Sequence, residues 1–387
     1  MRMEAPMKKL LWVGVVLGVL SLAGCGTETS GSQPTPSSHS AHSVTPTAIR
    51  FDPTHPRHGW LWAHTGRTNI LFHTIDAGFH WQVVWRSRRI LPRGIPRFLS
   101  SRQGWMAALM GQHVTLLATT DGGRRWHAQT LGTQMLLYSV GFPTENLSHL
   151  HWLMAEGYPT LGANTVVLYQ YETPHHRWEP ILPMGLPGAP SKPTATLVAS
   201  ITGFTIQNEQ TAWVGTSGNG VAGGLDRVQI RHDHAIVRVV SLPGLSPHSP
   251  SDRGIEPPVF HDLKGVVVGR VSATGTRVTG PVWTTDNGGA TWKKTAQLPQ
   301  SATQARFVTP RVGFAWTQTQ WWSTTNSGRS WVLRARLPGQ IQTVDIVNPR
   351  NIWVLTASGL SSFGLYHSRD EGQRWTAHAL PSLAPSS

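Results

Sequence analysis

Short apolar runs, separated by turn-forming polar residues, recur along most of the 387-residue chain. With 39 glycines, 28 prolines and a charged fraction of only 13%, the composition favours many short strands over helices. The runs are rich in tryptophan, valine and leucine, which is typical of strands in a packed sheet. Seven such runs lie at 59–63, 104–109, 151–156, 211–216, 265–270, 312–317 and 351–356.

A polar motif, Ser/Thr-x-Asp/Asn-x-Gly-x-x-Trp, is repeated among these runs. Its tryptophans recur about every 49 residues when the gap between 178 and 292 is counted as two units. That period is typical of β-propellers. Five copies span 74–81, 119–126, 285–292, 324–331 and 368–375, and a degenerate sixth spans 171–178.

Each repeat unit contains more than the motif. One strand is expected before the apolar run, one before the motif and one after it, which gives four strands per unit. Seven units predict an all-β chain, a seven-bladed β-propeller of four-stranded antiparallel blades over residues 48–387. The fourth unit lacks the motif and is expected to turn at 231–234.

The residue types of the motif predict a tight turn with a structural role. An Asp or Asn side chain accepts bonds from nearby backbone N–H groups, glycine takes positive φ, and tryptophan buries a large ring. Two copies carry Asn, which is not a carboxylic acid. The predicted structural residues are Asp76, Gly78, Trp81, Asp121, Gly123, Trp126, Asn287, Gly289, Trp292, Asn326, Gly328, Trp331, Asp370, Gly372 and Trp375.

These motifs resemble the Asp-box, or BNR, repeats of sialidase-like and photosystem II stability/assembly factor-like propellers. The resemblance covers nearly all of residues 48–380. It implies a propeller in which the motif joins the third and fourth strands of a blade, on the face away from the usual ligand site. The assembly-factor side of the resemblance implies a non-catalytic protein-binding or assembly module at a membrane surface.

The sialidase side implies a glycoside hydrolase with an arginine triad, a tyrosine nucleophile and an N-terminal Arg-Ile-Pro. The chain departs from that pattern, because GIPR at 94–97 lacks the first arginine and Tyr366 lies two residues before a motif. The sequence therefore predicts no catalytic residue, no cofactor and no metal site. A sialidase-like hydrolase and a lectin-like binder of surface polyanions stay open as alternatives.

The first residues follow the pattern of a bacterial lipoprotein signal. An apolar run at 10–22 is shorter than the roughly 20 residues that a membrane-spanning helix needs, and it leads into LAGC at 22–25. We expect a signal peptide at 1–24, lipid attachment at Cys25, the only cysteine, and anchoring to the outer face of the cell membrane. Residues 25–47, rich in Ser, Thr and Pro, are expected to form a disordered tether.

The charge of the chain predicts anionic partners. It carries 33 Lys and Arg against 19 Asp and Glu, a formal net charge of +14. Besides the membrane, this excess favours an acidic protein or an anionic surface polymer, whereas nucleic acid is not expected for an exported chain. We expect a monomer.

One segment between two repeats is unusually rich in arginine. Six arginines are predicted to form a partner-binding site, because guanidinium pairs well with carboxylate and phosphate. A solvated edge that keeps strands from aggregating is the alternative that these residue types leave open. The six are Arg86, Arg88, Arg89, Arg93 and Arg97 within 85–97, and Arg67 in a loop expected on the same face.

Overall fold

The computed structural model describes most of the repeat region. Described are residues 44–92, 96–110, 113–129, 131, 136–141, 152–158, 165–172, 177–184, 200–217, 224–230, 235–245, 253–272, 278–359 and 361–382. The predicted signal peptide, Cys25 and most of the predicted tether lie outside these ranges. Within them the regular structure is entirely β-strand, and no helix long and apolar enough to cross a membrane is found.

The described strands form antiparallel sheets that follow chain order. The first sheet contains β1 (Thr45–Phe51), β2 (Gly59–Thr65), β3 (Thr68–Thr74) and β4 (Gln82–Ser87). The second contains β5 (Ile90–Pro92), β6 (Arg97–Phe98), β7 (Gly104–Met110), β8 (His113–Thr119) and β9 (His127–Gln129). The third contains β10 (Leu136–Gly141), β11 (Trp152–Tyr158), β12 (Thr165–Glu172) and β13 (Arg177–Met184).

The middle of the chain forms one larger sheet in which two meanders are joined. The first meander contains β14 (Ser200–Asn208), β15 (Thr211–Ser217), β16 (Leu225–Ile230) and β17 (Ala235–Val240). The second contains β18 (Arg253–Ile255), β19 (Val259–His261), β20 (Lys264–Ser272), β21 (Val278–Thr279), β22 (Pro281–Thr285) and β23 (Lys293–Gln297). Within the described residues, β15 and β18 connect the meanders through a single pair, Ser217 with Gly254.

The last two sheets again have four strands each. They contain β24 (Gln304–Phe307), β25 (Gly313–Trp316), β26 (Gln320–Thr324) and β27 (Val332–Arg336), and then β28 (Gln340–Asn348), β29 (Asn351–Ala357), β30 (Phe363–Ser368) and β31 (Thr376–His378). The prediction of an all-β fold with four-stranded antiparallel sheets is thus confirmed. The count of seven blades stays a prediction, because the ten-stranded sheet joins two meanders.

The first strand begins earlier than predicted. Residues up to 47 were expected to belong to the tether, but β1 starts at Thr45, which pairs with His64. A β-bulge between Pro46 and Ala48 lets this extra length pair with β2. Proline is tolerated there because β1 is the first strand of its sheet and has a free edge.

The repeated motif forms the same turn in all five clear copies. In the second copy, Thr119 Oγ1 donates to Asp121 Oδ1 at 2.9 Å and accepts from Gly123 N at 2.9 Å, and Arg125 N donates to Asp121 Oδ1 at 2.9 Å. The other copies repeat these three bonds, with Asn in the Asp position twice. Gly122 and Gly123 both have positive φ, 76° and 91°, so the turn needs glycine where its φ is largest.

Aromatic rings join neighbouring sheets. Phe98, at the end of β6, stacks on Trp60 of the first sheet, with centroids 3.6 Å apart and planes 2° apart. Trp126, the last residue of the motif in the second sheet, meets Phe98 edge-on at 6.1 Å. Gly104, paired with Phe98, has no room for a side chain, because a Cβ there would lie 2.6 Å from the ring. Phe260 makes the equivalent contacts with Trp213 and Trp292 between the two meanders of the ten-stranded sheet.

The same contact joins the first sheet to the last. Phe51, at the end of β1, stacks on Trp353 of β29 at 4.1 Å, and Trp81 meets Phe51 edge-on at 6.2 Å. The first sheet takes all its strands from residues 45–87 and the last from residues 340–378. The two ends of the described chain are therefore held by side-chain packing and not by an exchanged strand.

We expect Phe51→Ala to lower the free energy of unfolding by about 3 to 5 kcal/mol, because it empties the space between Trp353 and Trp81. Denaturant unfolding measures this loss. Phe79→Ala is the matched control, since Phe79 is 61% exposed and its truncation should cost less than about 1 kcal/mol. Equal losses in the two variants would contradict the role assigned to the Phe51 contact.

Two of these tryptophans carry a histidine on their second face. His73 stacks on Trp60 at 5.0 Å and His367 stacks on Trp353 at 4.1 Å. Burial, together with His58 and Arg124, lowers the pKa of His73 to about 4. Burial, together with Arg369 and His378, lowers the pKa of His367 to about 4. Both rings are therefore neutral in the folded protein at neutral pH.

These depressed pKa values predict acid sensitivity. Between pH 4 and 6.5 the two histidines bind fewer protons in the folded state than in the unfolded state. Their contribution to the free energy of unfolding is therefore complete above pH 6.5 and is lost as the pH falls to about 4. Between pH 6.5 and 4, the free energy of unfolding of a His73→Gln, His367→Gln double variant should fall by less than that of the wild type. The difference should be about 1 to 2 kcal/mol per site, a value that already allows for solvent screening. Urea midpoints across this pH range test this, with His127→Gln, at an exposed residue, as the control. An unchanged pH dependence in the double variant would refute it.

Candidate anion-binding site

In three sheets an arginine immediately precedes the phenylalanine that ends β1, β6 or β24. In the register of the sheets, Arg50 pairs with Trp60, Arg97 with Trp105 and Arg306 with Phe314. Side chains alternate along a strand, so an arginine next to a buried phenylalanine lies on the opposite side of the strand. Arg50, Arg97 and Arg306 therefore occupy one equivalent position in the first, second and fifth sheets, respectively.

An aspartate occupies that position in the last sheet. Asp345 pairs with Trp353 in the register and is 1% exposed. Its Oδ1 accepts a bond from Arg50 Nη1 at 2.6 Å, and its Oδ2 accepts a bond from Phe51 N at 2.7 Å. This ion pair spans 295 residues of chain and reinforces the Phe51 contact between the first and last sheets.

The arginines carry more charge than Asp345 neutralises. Burial and the nearby charges of Arg50 and Arg306 hold the pKa of Arg97 well below its ordinary value, while Asp345 acts in the opposite direction. A guanidinium keeps its proton in proteins, so the three like charges persist side by side. The Nε of Arg50 is also buried without a hydrogen-bond partner. Together these features make the three arginines a candidate anion-binding site.

A cavity of about 390 Å³ lies beside Arg306. Its wall includes Arg306 and Glu256 together with Thr202, Gln304, Phe307 and Trp316. The cavity is of the size of small ligand pockets, which start near 300 Å³. When Glu256 is counted with Asp345, three positive charges still face two negative ones. The cavity therefore offers space for a side chain next to a site that lacks negative charge.

Exposed arginines surround the end of the strands at which this site lies. Four occupy the turns between the first and second strands of their sheets, and five occupy motif turns on the same side. Backbone bonds tie these two sets of turns together, as in Ala77 N to Arg57 O at 2.8 Å and Gly122 N to Arg102 O at 2.8 Å. The nine exposed arginines are Arg57, Arg102, Arg311, Arg350, Arg124, Arg125, Arg329, Arg369 and Arg374.

The structure divides the arginines predicted from the sequence. Arg67, Arg86, Arg88 and Arg89 are exposed at the opposite end of the strands from Arg50, and Arg93 lies outside the described residues. The grouping of Arg97 with them is wrong. It lies on β6 and pairs with Trp105, so its side chain joins Arg50 and Arg306.

Arg50, Arg306 and Asp345 were not identified from the sequence. A signal for two of them is present, since Arg-Phe recurs at 50–51, 97–98 and 306–307, each time a few residues before a Gly that precedes an aromatic residue. Asp345 carries no such signal, because only the folded chain brings it to Arg50.

Two described carboxylates at this end of the strands, those of Asp345 and Asp76, are bonded within the protein. Asp345 is bonded to Arg50 and to a backbone N–H. For Asp76, burial acts to raise the pKa, but bonds from His80 and Thr74 hold it at about 2. Tyr366, the candidate nucleophile of a sialidase reading, packs in the core between the last two sheets. Within the described ranges no three His, Cys, Asp or Glu side chains are grouped to hold a metal ion.

Solved structures are similar to this chain in fold. The oligogalacturonate lyase of Vibrio parahaemolyticus has a TM-score of 0.58 and 7% identity, over 86% of this chain and 92% of that one. The β-propeller domain of the Trilobed protease from Pyrococcus furiosus has a TM-score of 0.54 and 8% identity, over 87% and 97%. YCF48 bound to D1 peptide has a TM-score of 0.49 and 15% identity, over 85% and 93%.

Sheet order and these similarities show that the chain is a β-propeller. At identities this low, similarity to solved structures shows the fold alone. At a TM-score of 0.49, the similarity to YCF48 supports no conclusion by itself. No protein-family model matches the sequence, and no curated protein matches it. Membership of an Asp-box family therefore stays a prediction.

Asp345→Asn should lower the free energy of unfolding by about 3 to 5 kcal/mol, because it leaves the buried arginines without their carboxylate. Sulfate should restore part of this loss, whereas chloride at equal ionic strength should not, because a bound divalent anion replaces the missing charge. Thermal unfolding in the two salts measures both effects, with the exposed Asp286→Asn as control. Identical loss in the two salts would contradict an anion-binding site.

Proposed function

We propose that the chain is a non-catalytic binding module that holds a carboxylate-bearing segment of a partner protein at Arg50, Arg97 and Arg306. The observation that carries this proposal is the surplus of half-buried positive charge around Asp345, with a buried, partnerless Nε on Arg50. A carboxylate from outside supplies the missing charge. The planar guanidinium fork suits a carboxylate because both oxygens are bonded at once.

The neighbouring cavity favours a peptide over a free ion. A small anion would occupy only the arginines, whereas the cavity of about 390 Å³ beside Arg306 offers the faces of Phe307 and Trp316. An acidic residue whose neighbour enters this cavity buries apolar surface as well as its charge. Aromatic walls and arginines are the residue types that dominate binding energy at protein interfaces.

The nine exposed arginines at the same end of the strands favour an acidic partner. Charges of one sign around a binding site raise the rate of encounter with an oppositely charged protein. In three of the motif turns the nearby aspartates Asp76, Asp121 and Asp370 are bonded within their own turns. Their charges are therefore directed into the turns and not toward a partner.

We place this module at the outer face of the cell membrane, anchored through Cys25. The support is the apolar run at 10–22 followed by LAGC, together with the lone cysteine. Such a location fits assembly or docking of membrane proteins that expose acidic segments. A sialidase-like hydrolase stays an alternative, and a lectin-like polyanion binder is a distinct outcome of the test below.

The test is affinity capture from detergent-solubilised membranes with wild type, Arg97→Met and Arg306→Met. Wild type should retain one defined protein, and each variant should retain at least about tenfold less, because a buried charge pair is lost. Folding of each variant is checked by thermal unfolding.

Arg336→Met is the matched control, since Arg336 is exposed on the outer strand β27 of the same sheet as Arg306. Equal retention by wild type and both buried-site variants would refute binding at these arginines. Retention of polysaccharide alone, released by moderate salt, would replace the proposal with a polyanion-binding function.

A further inference from the structure

Four exposed arginines and two exposed apolar side chains form a second patch at the opposite end of the strands from Asp345. Leu91 and Met110 are 47% and 40% exposed. We call this group the rim patch, and it consists of Arg67, Arg86, Arg88, Arg89, Leu91 and Met110.

Hydrogen bonds fix the backbone that carries the rim arginines. Ser87 Oγ accepts bonds from Arg89 N and Ile90 N, both at 3.1 Å, and Asn69 Nδ2 donates to Ile90 O at 3.1 Å. Arg88 Nε donates to Thr68 Oγ1 at 3.2 Å, next to Arg67. The arginines are therefore held at one edge and are not spread over a loose loop.

The apolar members of the patch lie beside the arginines. Pairing of β5 with β7 sets Ile90 opposite Met110 and Leu91 opposite Leu109. This puts Met110 next to the segment that carries Arg88 and Arg89. Exposed apolar side chains flanked by arginines match the interface of a membrane, where the apolar groups enter the acyl boundary and the cations meet phosphate.

The chain also enters the fold at this edge. Thr45, the first residue of β1, pairs with His64, which directly precedes the turn that contains Arg67. The described chain therefore begins next to the rim patch.

We propose that the rim patch docks on the surface of an anionic phospholipid bilayer. Residues 64–69, 86–92 and 109–110 contain no Asp or Glu, so nothing in these segments repels phosphate. The arginines bind lipid phosphates, and Leu91 and Met110 bury their side chains at the acyl boundary. This surface is separate from the site at Arg50, Arg97 and Arg306, so either proposal stands without the other.

The test uses residues 41–387, which form one compact unit that contains every described strand. Vesicles of phosphatidylglycerol mixed with phosphatidylcholine should sediment with this protein, and vesicles of phosphatidylcholine alone should not. Neutralising Arg67, Arg86, Arg88 and Arg89 to Gln should weaken binding by at least about tenfold, since each basic residue near such a surface contributes. Moderate salt should weaken wild-type binding as well.

The matched control neutralises four exposed arginines at the other end of the strands, Arg124, Arg125, Arg329 and Arg374, to Gln. It removes the same charge, so it separates a docking face from net attraction. Equal weakening in both quadruple variants overturns the proposal, and so does binding of an acidic protein through the rim arginines without vesicle binding.

A second measurement reports the depth of the apolar side chains. Since Cys25 is the only cysteine in the chain, Leu91→Cys in residues 41–387 is a unique site for an environment-sensitive fluorophore. Its emission should shift to shorter wavelength on anionic vesicles. Leu263→Cys, at a residue 61% exposed on a turn at the other end of the strands, should not shift. A shift at both sites or at neither contradicts docking through this face.

Discussion

Stacking of a phenylalanine from one sheet on a tryptophan of the preceding sheet holds this propeller together. Within the described residues, no strand of the first sheet is hydrogen-bonded to a strand of the second sheet or of the last sheet. Aromatic contacts such as Phe98 on Trp60 therefore hold these sheets together. The same contact, Phe51 on Trp353, joins the ends of the chain. Aromatic pairs contribute beyond their buried area, which suits an interface made of few residues.

This constraint also places the charged site. Because Phe51, Phe98 and Phe307 are buried on one side of their strands, the preceding arginine of each is turned to the other side, toward the other first strands. Repetition of one packing solution thus gathers like charges that no single sheet would gather. The protein offsets part of this repulsion with Asp345, whose two bonds also strengthen the junction of first and last sheets. The remaining positive charge is what the proposed anion-binding role rests on.

Local patterns foretold the fold well and the site poorly. The strands and the five turns follow from short-range rules of burial and turn chemistry, and the runs at 59–63 and 104–109 became β2 and β7. Arg97 is close to Arg88 and Arg89 in sequence, but it lies on β6 at the other end of the strands, so the sequence-based grouping of these arginines is wrong for Arg97. The Arg-Phe repeat is visible in the sequence, but the location of its arginine side chains depends on which side of each strand is buried, and the sequence does not show that. Asp345 lies 295 residues from Arg50, beyond the reach of any local rule.

The two basic surfaces differ in a way that assigns them different partners. At the rim patch, arginines lie beside exposed Leu91 and Met110 and next to the start of β1, with their charges fully solvated. At the other end, Arg50, Arg97 and Arg306 are half-buried, so a carboxylate that binds there offsets part of their desolvation. A bilayer supplies many weak, mobile phosphates and suits the first surface; a folded or extended acidic peptide suits the second. In the two proposals taken together, the rim patch lies on the membrane, and Arg50, Arg97 and Arg306 lie at the far end of the strands, accessible to a partner that extends from the same membrane.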